Sequence, residues 1–193
     1  MKILFVSSEC APFSKSGGLA DVAFSLPPAL QKTGDELTIV TPMYRVTQEN
    51  YGDQFSLIKT CVIHLGQRQL SCALYKGELN GVTVYAIGNE HLFHRPRLYG
   101  YGDDSLRFAF FCRAVIDLLP EFGDLPDILH CNDWETALAI LYLKNDAVLN
   151  DALSHIKTVY TIHNIAYQGQ FGRSEMETTF ALPDGWYHGG LSY

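Results

Sequence analysis

Lys2-Ile3-Leu4-Phe5-Val6-Ser7, then Lys15-Ser16-Gly17-Gly18-Leu19-Ala20-Asp21, then Leu37-Thr38-Ile39-Val40-Thr41: these three stretches decide the fold. The first is a short apolar run, the pattern of a strand covered on both faces. From Leu19 the apolar positions Val22, Ala23, Leu26, Ala29 and Leu30 recur at helical spacing. Pro27 and Pro28 fall inside this stretch and predict a break or kink near Ser25. Leu37 to Thr41 is a second short strand, ended by Pro42. Strand, glycine turn, helix and strand within about forty residues open a doubly wound α/β domain.

Beyond this unit the pattern changes. Phe55 to Leu65 and Gln69 to Lys76 are strand-like, and Asn80-Gly81 is a hairpin signal before Val82 to Ile87. These residues predict a β-hairpin or meander insertion of antiparallel or mixed strands. His91 to Asp104 is rich in turn formers and aromatics and reads as a functional loop. Ser105 to Leu119 is expected to be an amphipathic helix ended by Pro120. The α/β rhythm then returns: strand at Asp127 to His130, helix at Trp134 to Leu143, strand at Thr158 to Ile162. The last twenty residues have no clear periodicity. A stop at Leu191-Ser192-Tyr193 is expected to be a cut rather than a natural end.

The 193 residues can form one sizeable domain with its own core. The net charge of -7 argues against a broad phosphate-binding surface, so nucleic acid is not an expected partner. The cysteines Cys10, Cys61, Cys72, Cys112 and Cys131 are odd in number and none lies in a C-x-x-C pair. Free thiols in a reducing compartment are expected, rather than a disulfide framework or a structural zinc. The apolar run at the start is too short for a signal peptide, and no segment reaches about 18 apolar residues, so neither export nor a membrane span is expected. These features predict a cytoplasmic protein.

Ligands of doubly wound sheets bind beyond the carboxyl ends of the strands. Three polar clusters fall there. In Lys15 to Asp21, Gly17 and Gly18 allow close backbone approach, the helix start attracts an anion, and Lys15 adds a charge. The alternative is a plain tight turn, with Asp21 a dipole-favourable acid in the first helical turn. The spacing is neither G-x-G-x-x-G nor a P-loop, so nicotinamide or NTPase binding is not indicated. His130-Cys131-Asn132-Asp133-Trp134 places a carboxylate beside an aromatic, which suits carbohydrate; Asp133 could equally cap the next helix. In Thr161-Ile162-His163-Asn164, His163 is either a catalytic or binding group or a satisfied core histidine. His130 and His163 lack the company a metal site needs, so none is expected.

Together these clusters resemble the bacterial-type glycogen and starch synthases, glycosyltransferase family 5, whose GT-B fold holds two Rossmann-like domains. The likeness runs through Ser8-Glu9 to Pro12, Lys15 to Val22, Arg95-Pro96, Leu98 to Asp104, Arg107 to Phe111, Asn132-Asp133-Trp134 and Thr161 to Gly169. Departures are Ser16 where Thr is usual, Glu135 where His is common, and His94 and Arg97 where Asp and Gly are frequent.

The resemblance implies roles. Lys15 with the Gly17 and Gly18 backbone would lie against the diphosphate or the transferred glucose. Asp21 would support donor or acceptor binding and, with His163, is the catalytic candidate. His163 would sit near the anomeric centre and the glucose 6-hydroxyl. Tyr99, Asp133 and Asn164 would line the sugar cleft. The implied reaction is retaining transfer of α-glucose from ADP-glucose or UDP-glucose to the non-reducing 4-hydroxyl of an α-1,4-glucan, with no cofactor and no essential metal. Residues 1–193 would be a partial N-terminal, acceptor-side catalytic domain. The C-terminal nucleotide-binding GT-B domain would be absent from this chain, so the fragment alone is expected to be inactive. Two alternatives compete: a non-catalytic glucan-binding module, and another GT-B retaining glycosyltransferase.

Overall fold

The computed structural model describes residues 1–183. Seven strands form one sheet in the order β3-β4-β5-β2-β1-β6-β7. They are β1 (Lys2–Ser7), β2 (Glu36–Pro42), β3 (Ser56–Leu65), β4 (Arg68–Leu79), β5 (Val82–Gly88), β6 (Ile128–Asn132) and β7 (Lys157–Thr161). The block β5-β2-β1-β6-β7 is parallel. The outer strands β3 and β4 run antiparallel, as does β4 against β5. The chain winds outward from β1 to β2, returns, and crosses to β6 on the other side of β1. The strand order therefore reverses between β1 and β6, the place where doubly wound sheets leave a crevice.

The helices are α1 (Gly18–Gln31), α2 (Arg45–Tyr51), α3 (Glu90–Phe93), α4 (Asp104–Asp117), α5 (Trp134–Ala147) and α6 (Ser174–Thr178). Alternate residues of the central strands feed two cores. Ile3, Phe5, Leu37 and Ile39 pack with Ala23 of α1 on one face. Leu4, Val6, Leu129 and Cys131 pack with Phe108, Phe111 and Ala139 of α4 and α5 on the other. Burial on both faces explains why β1 reads as an unbroken apolar run rather than an alternating one.

Of four expectations, three need correction. First, α1 does not break near Ser25; it runs through Pro27 and Pro28 to Gln31. Each proline forfeits one backbone donor. The helix is held instead by Leu19, Ala20, Ala23 and Pro27 buried against the sheet, and main-chain bonding resumes at Lys32 N to Pro28 O. Second, the expected meander is present as antiparallel β3-β4-β5, and through β5 pairing with β2 it extends the same sheet. Its Asn80-Gly81 turn has φ of 51° and 81°, the double positive value of a hairpin turn. Third, α4 is buried nearly all round rather than amphipathic. It lies between the sheet, α5 and the loop before it, so even Arg107 is 0% exposed. Fourth, the aperiodic tail includes α6, whose Met176 packs into the core. The ending at Leu191-Ser192-Tyr193 lies outside the described residues. Sequence reading also missed α2, whose Arg45–Tyr51 stretch carries too few apolar residues to show a helical stripe. Among the described residues, no helix is long and apolar enough to cross a membrane.

Candidate active site

Ser7 of β1, Asn132 of β6 and Thr161 of β7 stand in register across three adjacent strands. The second and third clusters include members of that row, and Lys15 to Asp21 lies in the connection from β1 into α1, so all three belong to the carboxyl edge.

Beyond β1 the chain turns back over Glu9, which is 4% exposed. Its carboxylate accepts from the amides of Ser16 and Gly17 (the latter at 3.2 Å) and from Ser16 Oγ at 2.6 Å. Tyr99 Oη donates to Glu9 Oε1 at 2.9 Å and lies 3.0 Å from Ser8 Oγ. The glycine turn therefore already holds an internal anion, and the Gly17 amide is committed to it. The following helix, α1, has no side-chain cap at its N-terminus. Its leading donors and its dipole face outward. A Cβ built on Gly17 or Gly18 would meet nothing within 4 Å, and neither residue has the positive φ that demands glycine. Among the described residues, nothing requires Gly17 or Gly18 to lack a side chain. Lys15 Nζ sits 2.6 and 2.8 Å from the Asp21 carboxylate oxygens, with both side chains more than half exposed.

The loop before α4 is fastened to it. Arg95 makes a two-pronged ion pair with Asp103 at 2.6 and 2.7 Å, which holds the Asp103 carboxyl below its usual range. Buried Arg107 donates to the carbonyls of Leu92 and Leu98 and pairs with Asp104. Arg95, Arg97 and Arg107 all lie 4.9 Å from the Tyr101 ring centroid. This scaffold delivers the Tyr99 hydroxyl to Glu9. Tyr99, expected to line the sugar cleft, spends its hydroxyl on shaping the turn, and burial pushes its pKa well above normal.

At the end of β6, Asp133 adopts φ 58° and ψ 174°, an extended positive-φ conformation almost restricted to glycine and costing about 1–3 kcal/mol. Two contacts maintain it: its amide donates to Thr161 O at 2.9 Å, and its Oδ1 accepts from the amides of His163 (2.7 Å) and Asn164 (3.4 Å). Its side chain makes no cap to α5. Asp133 thus shapes the loop after β7, and the helix-cap alternative falls. Strain kept at a strand end beside polar side chains is a mark of functional loops. Asn132 Nδ2 donates to Val6 O at 3.0 Å, leaving its Oδ1 to accept from His163 Nε2 at 2.9 Å. The His163 imidazole is exposed, with its Nδ1 edge unbonded in the described residues. The core-histidine alternative for His163 therefore fails. His130 turns away, its Nε2 2.8 Å from Thr161 Oγ1 and its ring edge-on to Phe5. Burial, then the nearby His163, lowers its pKa.

Two residues escaped sequence reasoning. Glu9 lay inside a recognised motif, but only the turn geometry shows its carboxylate as the anchor. Glu135 stood out as a departure. The structure buries it to 7% exposure with no partner for Oε2, and burial raises its pKa to about 8.

Among the described residues, Lys15 pairs with Asp21 and His163 and Asn164 are joined through Asn132 and Asp133. No hydrogen bond links the first group to the second; they share only the carboxyl edge. An open helix N-terminus and an exposed ammonium after β1 suit an anionic group, and an oriented imidazole after β7 suits a hydroxyl-rich one, both at the carboxyl edge. Fold and site together define a doubly wound α/β domain with three polar clusters at the carboxyl edge of its sheet. The family model described as the starch synthase catalytic domain matches residues 2–193, and the chain belongs to that family. Glycogen synthases of Bacillus cereus (strain Q1), Anoxybacillus flavithermus and Ligilactobacillus salivarius are 44%, 40% and 42% identical to it. The alignments cover 97%, 97% and 98% of this chain. The chain spans only 39–40% of the length of these curated relatives. The catalytic domain of starch synthase IV from Arabidopsis thaliana, solved bound to ADP and acarbose, superposes with a TM-score of 0.84 at 29% identity. That match covers 98% of this chain and 39% of the other, and it supports the GT-B assignment.

Proposed function

We propose that these residues are the acceptor-side part of a cytosolic glycogen or starch synthase. The whole protein transfers α-glucose, with retention, from a nucleoside diphosphate glucose to the non-reducing 4-hydroxyl of an α-1,4-glucan. What supports this reading is that the α1 N-terminus and Lys15 follow β1 and His163 follows β7, all at the carboxyl edge of one sheet. ADP-glucose is the favoured donor, because the plant neighbour was solved with ADP and with acarbose. Uncapped amides of α1 and the Lys15 ammonium oppose the charge that grows on the departing diphosphate. Lys15 leaves Asp21 to do so, which frees the Asp21 carboxylate for a sugar hydroxyl. His163, aimed by Asn132 and by the Asp133 loop, faces the reacting sugar, with Asn164 beside it. Positioning and electrostatics supply the catalysis, with no group from outside the chain and its substrates.

A nucleotide-binding C-terminal domain completes the cleft. The open space over Gly17 and Gly18 is the room that ligand and domain require. The test is incorporation of radiolabelled glucose from ADP-glucose into glycogen. The full-length enzyme is expected to be active, and Lys15→Ala and His163→Ala to lose at least a hundredfold; the 193-residue chain alone is expected to show no transfer. Full activity in both variants would overturn the reading.

A further inference from the structure

The outer hairpin sets two cysteines face to face. In the β3–β4 ladder Cys61 pairs directly with Cys72. Counting from Leu65↔Arg68 at the tight turn, Cys61↔Cys72 falls on a hydrogen-bonded pair of the ladder. Such pairs have a Cα separation of about 5.5 Å, within the range of roughly 4.4–6.8 Å that a disulfide spans. Both side chains project to the α4 face: Cys72 is in that core and Cys61 packs against it. Their exposures differ. Cys72 is 3% exposed, whereas Cys61 is half-buried and reachable. The remaining thiols lack this combination. Cys10, Cys112 and Cys131 are all 0% exposed, and Cys112 Sγ donates to Glu135 O.

We propose that Cys61 and Cys72 are a redox modification site that closes to an intrachain disulfide by exchange with a low-molecular-weight disulfide. Cys61, as thiolate, attacks one sulfur of the small disulfide. That S–S bond breaks, a mixed disulfide forms on Cys61, and one small thiolate leaves and takes up a proton. Cys72 then gives its proton to solvent and attacks the Cys61 sulfur, expelling the second small thiol. Two protein thiols are oxidised and one small disulfide is reduced to two thiols. The order follows from access, since Cys61 is half-buried and Cys72 is 3% exposed, and from burial, which raises the Cys72 thiol pKa and so disfavours it as the first attacking thiolate. The bond would join the two outer strands, β3 and β4, where β4 passes the carboxyl end of β5 at Ala73↔Gly88.

The experiment uses the folded, unmodified chain and oxidised glutathione as probe. After incubation, free thiols are alkylated and the protein is digested with trypsin without reduction. Cleavage after Lys59, Arg68 and Lys76 puts Cys61 and Cys72 on separate peptides. The expected product is peptide 60–68 joined to 69–76, lighter than their sum by two hydrogens and lost on reduction. Cys10, Cys112 and Cys131 are expected as alkylated thiols after denaturation. In Cys72→Ser, or Cys72→Ala should the serine variant not fold, Cys61 is expected to keep one glutathione. In Cys61→Ser, Cys72 is expected to remain a thiol. Three results would each overturn the proposal: a stable glutathione adduct on Cys61 of the parent chain, both cysteines recovered as thiols, or a link from Cys61 to another cysteine.

Discussion

Replacing Glu135 by Gln tests the buried carboxyl behind the site. Glu135 is 7% exposed, its Oε2 has no partner, and its pKa rises from an ordinary 4.5 to about 8. Burial is the main cause; the charges of Asp133, Glu9 and Asp104 add to it. The folded chain therefore keeps this proton over a range in which the unfolded chain releases it. Below about pH 4.5 both states hold the proton and the effect vanishes. From there to about pH 8 the unfolded state binds fewer protons, so stability falls as pH rises. The interval between 4.5 and about 8 corresponds to roughly 4–5 kcal/mol, at about 1.4 kcal/mol per tenfold. Glutamine keeps the shape and cannot ionise. Urea unfolding of parent and Glu135→Gln across pH 5 to 8.5 isolates the effect, because every other titrating group cancels in the difference. The variant is expected to gain on the parent by about 3–4 kcal/mol between roughly pH 5 and pH 8. Parallel stability curves would refute the assignment of a neutral buried carboxylic acid.

Gly17→Ala separates ligand approach from folding. Its Cβ meets nothing within 4 Å, so the thermal midpoint is expected to move by no more than about 1 kcal/mol equivalent, while transfer in the full-length enzyme drops at least tenfold. Equal activity would remove the ligand from that space. Lys15→Ala is likewise expected to cost under about 1 kcal/mol of stability, because the Lys15–Asp21 pair is exposed, so any loss of transfer reports on substrate. Gly169→Ala behaves in the opposite way: at φ +58° its Cβ would overlap the Trp134 ring, and denaturant unfolding is expected to show a loss of about 2 kcal/mol or more. A neutral result there would contradict the packing of the β7 loop on α5.

The sequence by itself determined the parallel core of the sheet. Buried strands leave apolar runs, and the Lys15 to Asp21 turn leaves a composition signature, so β1, α1, β2, β6, α5 and β7 could all be placed. It also determined the family, because several motifs recur in one order along the chain. Which donors and acceptors those motifs spend on one another was decided only in three dimensions. Glu9 takes the Gly17 amide, Tyr99 serves Glu9, and Asp133 serves the His163 loop rather than its own helix. Each of these bonds joins residues 8 to 90 positions apart, and local pattern carries no record of such distances. The same holds for α1 running through two prolines, where sheet packing outweighs a local penalty. It holds again for Glu135, whose unusual proton follows from what surrounds it and not from its neighbours in the chain.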